Sequence, residues 1–328
     1  MNAYKAVEKK WKRTKLATAE DLFGDDGDRI PEAADLVDVQ ALTPAQATWV
    51  DEVGSCAISA GATCPIYALR KPGAVAHDDS YVHAGFFILP GALDAATQRL
   101  LAEKCLTEYA EAPHTTNLHP LGQNVEGIWA KSTSRLPGQP DPMDKLHWAA
   151  LGYHYDWTNR AYPGTPGSEV PVLLQSIGVA CAKAVGLDIT SEAALVNYYK
   201  ASSTMGGHQD NVEVTFAYPV VSFSIGSSAI FLKGGLTKDE APIEILLRSG
   251  DVVVMGGASR LCFHGIAKTL PTTNLPAFPL ELQDCGALYG SIAAYVRSNR
   301  LNINVRQVFD HAQPAVEDPP RKRVKADD

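Results

Sequence analysis

Residues 208–210 read His-Gln-Asp, and a second histidine, His264, stands much later in "SRLCFHG". An HxD pair sets a neutral imidazole and a carboxylate two residues apart at a strand end. A histidine on a neighbouring strand can complete three ligands on one face of a metal. Two histidines and one carboxylate leave open positions opposite, the arrangement favoured by non-haem Fe(II) oxygenases. HxD triplets also arise by chance, and a lone histidine is commonly an ordinary surface or core residue, so His208, Asp210 and His264 on their own leave both readings open.

A second constellation bears on the choice. In "RLNINVR", from Arg300 to Arg306, Leu301, Ile303 and Val305 share one face of a strand, and Arg300, Asn302, Asn304 and Arg306 share the other. If the polar face points inward, its arginines need anionic partners, because unpaired buried charge is costly. A planar guanidinium suits a carboxylate held through two hydrogen bonds. The diacid 2-oxoglutarate offers two carboxylates and can chelate Fe(II) through its keto-acid end. "NYY" repeats the pattern, with Asn197 and Tyr199 on one face just before the HxD turn. The alternative is an outward polar face that forms surface salt bridges.

The elements that must position these residues are legible in outline. From about Ala193, short apolar or alternating runs are divided by Gly- and Ser-containing turns, which argues for an antiparallel sandwich or barrel. Upstream, residues 2–16 read as a basic helix with Tyr4, Val7 and Trp11 about one turn apart. A mobile acidic linker is expected from Glu20 to Asp35. "TPAQATWVDEV" reads as a helix start, with Thr43 as cap and Pro44 in the first turn. "HAGFFILPGAL" reads as a short buried strand, and Asp94 caps a helix to about Ala110. Residues 111–150 look polar and irregular. A further helix runs from Pro171 to Gly186.

Composition bounds the rest. At 328 residues, with 45% hydrophobic and 20% charged residues, the chain can bury a substantial core. No apolar run approaches a membrane span, and the start lacks the apolar region of a secretory signal. The six cysteines form no CxxC pair, so reduced thiols in an intracellular protein are expected. A net charge of −8 disfavours coating of nucleic acid by bulk electrostatics, although "KKWKRTK" and "RKRVK" place basic clusters near both ends.

The order "NYY … HQD … SFSIGSSAIFLKGG … SGDVVVMGG … SRLCFHG … RLNINVRQV" closely resembles the AlkB family of Fe(II)- and 2-oxoglutarate-dependent dioxygenases, above all its eukaryotic homologue-one type. The resemblance covers roughly residues 80–310. It implies an α+β fold with a mainly β core, a double-stranded β-helix of jelly-roll kind with N-terminal helices packed outside. It implies that His208, Asp210 and His264 bind Fe(II). Arg300 would pair with the distal carboxylate of 2-oxoglutarate, helped by Tyr199 and Asn302, while Asn197 and Arg306 would serve the end nearer the metal. The implied reaction uses O2, converts 2-oxoglutarate to succinate and CO2, and hydroxylates a methyl group on a base nitrogen, which then leaves as formaldehyde.

The stretch "GYHYDWTNRAYPG" (152–164) aligns with the family's nucleotide-recognition lid, and Tyr153, His154, Tyr155 and Trp157 offer flat surfaces for a base. Each of these rings has core packing as its alternative. The chain reads "HQDNVEV" where bacterial members place acids directly after the HxD motif, so Glu213 is the nearest acid able to accept from an adenine amino group. N6-methyladenine in DNA, unpaired or bulged, is the expected substrate, with tRNA 1-methyladenosine, or a protein substrate on the same fold, as alternatives. The partner is therefore nucleic acid, DNA ahead of RNA, with no membrane. Oligomeric state is not legible. The expected organisation is an N-terminal helical extension with acidic linker (1–80), a dioxygenase domain (81–310) with a lid at about 111–170 and a catalytic β core at 193–310, and a disordered basic tail (311–328). "PPRKRVK" resembles a nuclear-import signal, which points to the nucleus, with mitochondrion or cytoplasm as alternatives.

Overall fold

Strand-forming runs dominate the chain, and in the computed structural model they pair into two sheets that face each other. The structure describes residues 2–24, 26–58, 63–70, 85–119, 126–201, 203–279 and 286–311. In chain order the strands begin with β1 (Val50–Cys56), β2 (Cys64–Leu69), β3 (Phe86–Leu89), β4 (Thr115–Thr116), β5 (Trp148–Gly152) and β6 (Ala193–Tyr199). There follow β7 (Met205–His208), β8 (Val220–Gly226), β9 (Ser228–Lys233), β10 (Ile243–Leu247), β11 (Val252–Met255), β12 (His264–Leu270) and β13 (Arg300–Arg306). The helices are α1 (Ala3–Arg13), α2 (Ala95–Thr107), α3 (Ile128–Thr133), α4 (Val172–Ala184) and α5 (Gly286–Ser298).

A nine-stranded sheet has the order β1-β2-β3-β11-β8-β13-β6-β5-β4, and a four-stranded sheet the order β10-β9-β12-β7. The named strands pair antiparallel throughout. This is the mainly β jelly roll with outer helices that the sequence led us to expect. The turn from β8 into β9 depends on Gly226, whose φ is +85° and whose Cβ, if it had one, would lie 2.6 Å from the Asn299 carbonyl oxygen.

Three apolar layers result. Behind the large sheet, Leu301, Ile303 and Val305 of β13 pack with Leu101 and Cys105 of α2, Leu174 and Ile177 of α4, and Ile292 and Val296 of α5. Between the sheets, Phe231, Val253, Ile245 and Tyr199 form a smaller core. On the outer face of the small sheet, Tyr4 and Trp11 of α1 cover Ile230, Leu232 and Ala267, joined by Leu22, Ala33 and Leu36. Apolar residues on both faces of β9 and on one face of β13 are therefore buried, and the polar face of β13 turns into the space between the sheets.

α1 forms as its pattern predicts, with the Asn2 side chain capping the Lys5 amide at 2.8 Å. Its docking reaches the strand that ends in His208. Tyr4 lies so close over Gly207 that a Cβ there would come within 2.4 Å of the ring, and Glu8 accepts from the Gly207 amide at 2.8 Å. Trp11 is fully buried and donates its indole N–H to Glu244 on β10.

The structure corrects several local expectations. Thr43 does accept from the Gln46 amide at 3.3 Å, but only a 3-10 turn over Gln46–Thr48 follows, and Trp49 leads into β1. β1 instead pairs along its length with β2, so the segment assigned to a helical extension supplies two strands. The acidic stretch expected to be mobile is anchored by Leu22, Ala33 and Leu36, whose burial outweighs its charge. Residues 111–150 contain α3 and β5, which pairs with β6. α5 begins at a segment that the sequence reading left unassigned. The basic run at 321–325 lies outside the described residues. Among the described residues no helix is long and apolar enough to cross a membrane.

Replacing Trp11 by alanine removes the largest side chain beneath α1 and one partner of the buried Glu244. A loss of about 3–5 kcal/mol is expected in chemical denaturation, and a loss under about 1 kcal/mol would mean that α1 contributes little to the folded state.

Candidate active site

β12 and β7 bring the two histidines together: His264 is paired in register with His208, which places both side chains on one face of the small sheet. Their ring centroids are 4.4 Å apart. Asp210, two residues beyond the end of β7, completes the group, and one ligand atom from each residue lies within 4.8 Å of the others. Asp210 Oδ1 is 3.9 Å from His208 Nε2, and Oδ2 is 3.9 Å from His264 Nε2. Both imidazoles are held at the other nitrogen, His208 Nδ1 at 3.1 Å from the Gly206 carbonyl and His264 Nδ1 at 3.1 Å from the Cys262 carbonyl. Donation from Nδ1 leaves the Nε2 lone pairs directed at the common centre, which is the tautomer a metal requires. Among the described residues this is the cluster able to hold a metal ion.

Electrostatics favour a cation at that point. Burial alone would raise the Asp210 carboxyl, but Arg306, His264 and His208 hold it well below the usual carboxylate range, so it stays ionised. Burial pushes His264 down to about 4, with Asp210 only partly opposing, so it is neutral at physiological pH. Arg306 reaches Asp210 Oδ2 at 3.5 Å and Glu213 Oε1 at 2.8 Å. Burial alone would lower the Arg306 guanidinium, but these two carboxylates hold it above its ordinary value.

Further along β13, Arg300 is almost wholly buried. Its Nη2 donates to Ser224 Oγ at 2.9 Å, and its Nε and Nη1 are buried without a hydrogen-bond partner among the described residues. An orphaned half of a guanidinium in such a place fits a carboxylate ligand, because the desolvated N–H groups otherwise cost free energy. Tyr199 lies against it, the guanidinium carbon 5.4 Å from the ring centroid. Asn302 donates to Ser222 Oγ at 2.8 Å and to the Phe223 carbonyl at 2.9 Å, and accepts from Asn197 at 3.5 Å. It thus ties β13 to its neighbours and orients Asn197.

A cavity of about 390 Å³ opens beside the triad. His208, Asp210, Asn197 and Arg306 line it together with Tyr153, His154, Tyr155 and Trp157. The lid residues are arranged by a tight turn in which Asp156 accepts from the amides of Thr158 and Asn159 at 2.8 and 3.0 Å. Tyr155 packs edge-on against both Trp157 and Tyr162, while Trp157 is 69% exposed. Two rings escaped the sequence reading. Tyr162 stands within the quoted lid stretch, and Trp148 on β5 packs against His154 with ring centroids 4.9 Å apart and planes tilted by 33°. Asn211, next to Asp210, also lines the cavity.

Glu213 is a correction. Expected to accept from an adenine amino group, it is buried, absent from the cavity wall, and engaged by Arg306 at Oε1 and Arg260 at Oε2. Two arginines outcompete any neutral amino group for one carboxylate. Arg260, four residues before His264, was not singled out, because nothing in the spacing tells a buried arginine from a surface one. A larger cavity, about 590 Å³, lies among Glu20, Gln98, Arg248 and Thr272. Its polar groups pair with their neighbours, Arg248 with Asp38, Gln98 with Ser249 and Glu20 with Thr272, and it lacks convergent ligating groups.

A jelly roll that presents two histidines and a carboxylate beside a buried, half-paired arginine defines a class. Residues 85–306 match the family model for the 2OG-Fe(II) oxygenase superfamily, and the chain belongs to that superfamily, in its AlkB branch. Members of the superfamily use Fe(II), 2-oxoglutarate and O2, which the residues present here fit. The chain is similar to the mouse (Mus musculus) nucleic acid dioxygenase ALKBH1, 34% identical over 70% of this chain and 66% of the relative. It is similar to the Arabidopsis thaliana DNA N(6)-methyladenine demethylase ALKBH1A, 31% identical over 69% and 75%. It is also similar to the Schizosaccharomyces pombe tRNA demethylase abh1, 32% identical over 68% and 79%. The chain thus spans just under two thirds of the length of the mouse relative.

The depressed His264 predicts an acid weakness of the metal-free protein. In the unfolded chain the imidazole takes a proton near 6.5, whereas the folded state resists until about 4. Stability is therefore full above pH 6.5 and falls as the pH drops toward 4. Asp251, raised to about 6 by burial, acts in the opposite sense and does so equally in a His264 variant. Denaturation of EDTA-treated protein across this range should show a steeper acid loss for wild type than for His264→Gln. Parallel curves would refute the assignment.

Proposed function

We propose that the protein is an Fe(II)- and 2-oxoglutarate-dependent oxidative demethylase of N-methylated nucleobases, with N6-methyladenine in unpaired DNA as its preferred substrate. The observation that carries the reading is one cavity lined both by His208, Asp210 and Arg306 and by a cluster of aromatic rings. Bound Fe(II), together with 2-oxoglutarate and O2, supplies an oxidation that hydroxylates the methyl carbon, after which the hemiaminal releases formaldehyde.

The chain's own residues do the rest. His208, Asp210 and His264 hold the metal on one side and leave the side toward the cavity open. Arg300 receives the distal carboxylate of 2-oxoglutarate on its unpaired Nε and Nη1, with the Tyr199 ring as a wall. Asn197 and Arg306 serve the end nearer the metal. Tyr155, Trp157, Tyr153 and His154 stack on the base and shield it from water. With Glu213 turned away, Asn211 beside Asp210 suits an adenine edge, since its amide can both accept and donate there, while the side-chain amide nitrogen of the neighbouring Gln209 donates to the Leu261 carbonyl.

A methylated base must leave its stack to enter the cavity, at a cost of a few kcal/mol that is smallest for bulged or single-stranded sites. The net charge of −8 points the same way, because it disfavours clamping intact duplex. DNA and tRNA both occur as substrates in the names of the relatives, and the basic run at 321–325 supports a nuclear setting and hence DNA.

Two measurements test this. Mass spectrometry of nucleosides from N6-methyladenine DNA in bulged, single-stranded and duplex form should give rates in that order or with the first two equal, and duplex slowest. Equal rates on all three would remove the unpaired-base argument, and turnover of tRNA 1-methyladenosine alone would move the substrate to RNA. Arg300→Ala should raise the 2-oxoglutarate concentration for half-maximal turnover on the order of 10–100-fold, because the carboxylate loses a charged two-point partner. An unchanged value would exclude Arg300 from the co-substrate site.

A further inference from the structure

Glu213 and Arg260 are both buried, neither lines the cavity, and the contacts they make converge on Asp210. Arg260 Nη1 donates to the Asp210 carbonyl at 2.6 Å, its Nε donates to the Tyr218 carbonyl at 3.1 Å, and its Nη2 reaches Glu213 Oε2 at 3.1 Å. Glu213 Oε1 accepts from Arg306 Nη1 at 2.8 Å, and Arg306 Nη2 lies 3.5 Å from Asp210 Oδ2. The side chain of Glu213 has no exposure and that of Arg260 has 2%. We infer that Glu213 and Arg260 are positioning residues that hold the Asp210 carboxylate toward the two imidazoles. This inference rests on the reading of His208, Asp210 and His264 as metal ligands.

Two physical arguments support it. The first is charge. Two guanidinium groups face two carboxylates in this region, and Glu213 takes one hydrogen bond from each arginine. Were Glu213 neutral, Arg306 would have Asp210 as its remaining carboxylate partner, and the carboxylate would turn toward the guanidinium and give less charge to a cation. The second is mechanical. His208 and His264 are fixed by strand pairing, but Asp210 lies beyond the end of β7 at the start of a loop. Arg260 fastens that loop at both ends, at Asp210 and at Tyr218, across residues that include the exposed Val214 and Phe216. Arg260 also immediately precedes "LCFH", so one segment delivers both a ligand, His264, and the brace for another.

The test is titration of metal-free protein with Co(II), without 2-oxoglutarate, following both affinity by calorimetry and the visible absorption of the bound ion. Wild type, Asp210→Ala, Glu213→Gln and Arg260→Lys are compared after circular dichroism has shown each to be folded. Glu213→Gln should bind Co(II) on the order of 10–100-fold more weakly, and its absorption should move toward that of Asp210→Ala. Arg260→Lys keeps the charge but loses the planar fork, and a loss of about tenfold is expected. It carries the test should Glu213→Gln fail to fold. Folded variants with wild-type affinity and wild-type absorption would overturn the inference. Wild type that binds Co(II) no better than Asp210→Ala would instead overturn the metal reading beneath it.

Discussion

Charge balance between the two sheets constrains everything else in this molecule. Arg260, Arg300 and Arg306 are buried in or beside that space, and a buried guanidinium that lacks anionic partners costs the fold free energy. Arg306 and Arg260 are matched by Glu213 and Asp210 through direct contacts. Arg300 has a hydroxyl partner at one nitrogen and an ordered tyrosine ring, and burial drives its guanidinium down to about 10, with Tyr199 and Asp251 only partly opposing. The fold thus holds one well-compensated arginine group beside the metal ligands and one under-compensated arginine farther along the same strand. Under the proposed function an anionic co-substrate would complete the second as Glu213 completes the first.

The layered packing is what makes such a polar interior sustainable. β13 buries Leu301, Ile303 and Val305 against the helices on one face, so its other face can remain polar without loss of a core. On the far side, α1 covers the small sheet, and its Tyr4 and Glu8 press on Gly207, directly before His208. The strand that ends in His208 is therefore clamped from outside by a helix and from its partner side by β12. The N-terminal segment, remote in sequence, becomes part of the support of the site. The cavity lies where these supports end and the aromatic lid begins.

The local chemistry was largely readable. The HxD spacing puts a histidine and a carboxylate within reach of one another at the end of β7, although Asp210 itself lies just past the strand. Period-two geometry separates Arg300 and Arg306 from the apolar residues between them. Turn-forming glycines, the Asn2 and Asp94 caps and the apolar runs after Ala193 mark elements for reasons internal to each segment. Helices with a clear cap and a buried stripe, α2 and α4, fall within a few residues of their expected bounds. The sequence by itself determined which residue types could meet, and in which alternating order.

Which of them do meet was decided by the tertiary structure. Thr43 begins a turn and then a strand because β2 offers backbone partners that no local signal announces. Leu22 and Ala33 immobilise an acidic stretch because α1 leaves an apolar surface for them to cover. Glu213 stands three residues after Asp210, but whether it faces the cavity or the interior depends on Arg260 and Arg306, which arrive from far along the chain. Trp148 joins the lid through β5, whose existence depends on pairing with β6. Periodicity is a property of one segment, whereas partner choice for a charge, a ring or a strand edge is a property of two. Only the folded chain brings the second one into contact.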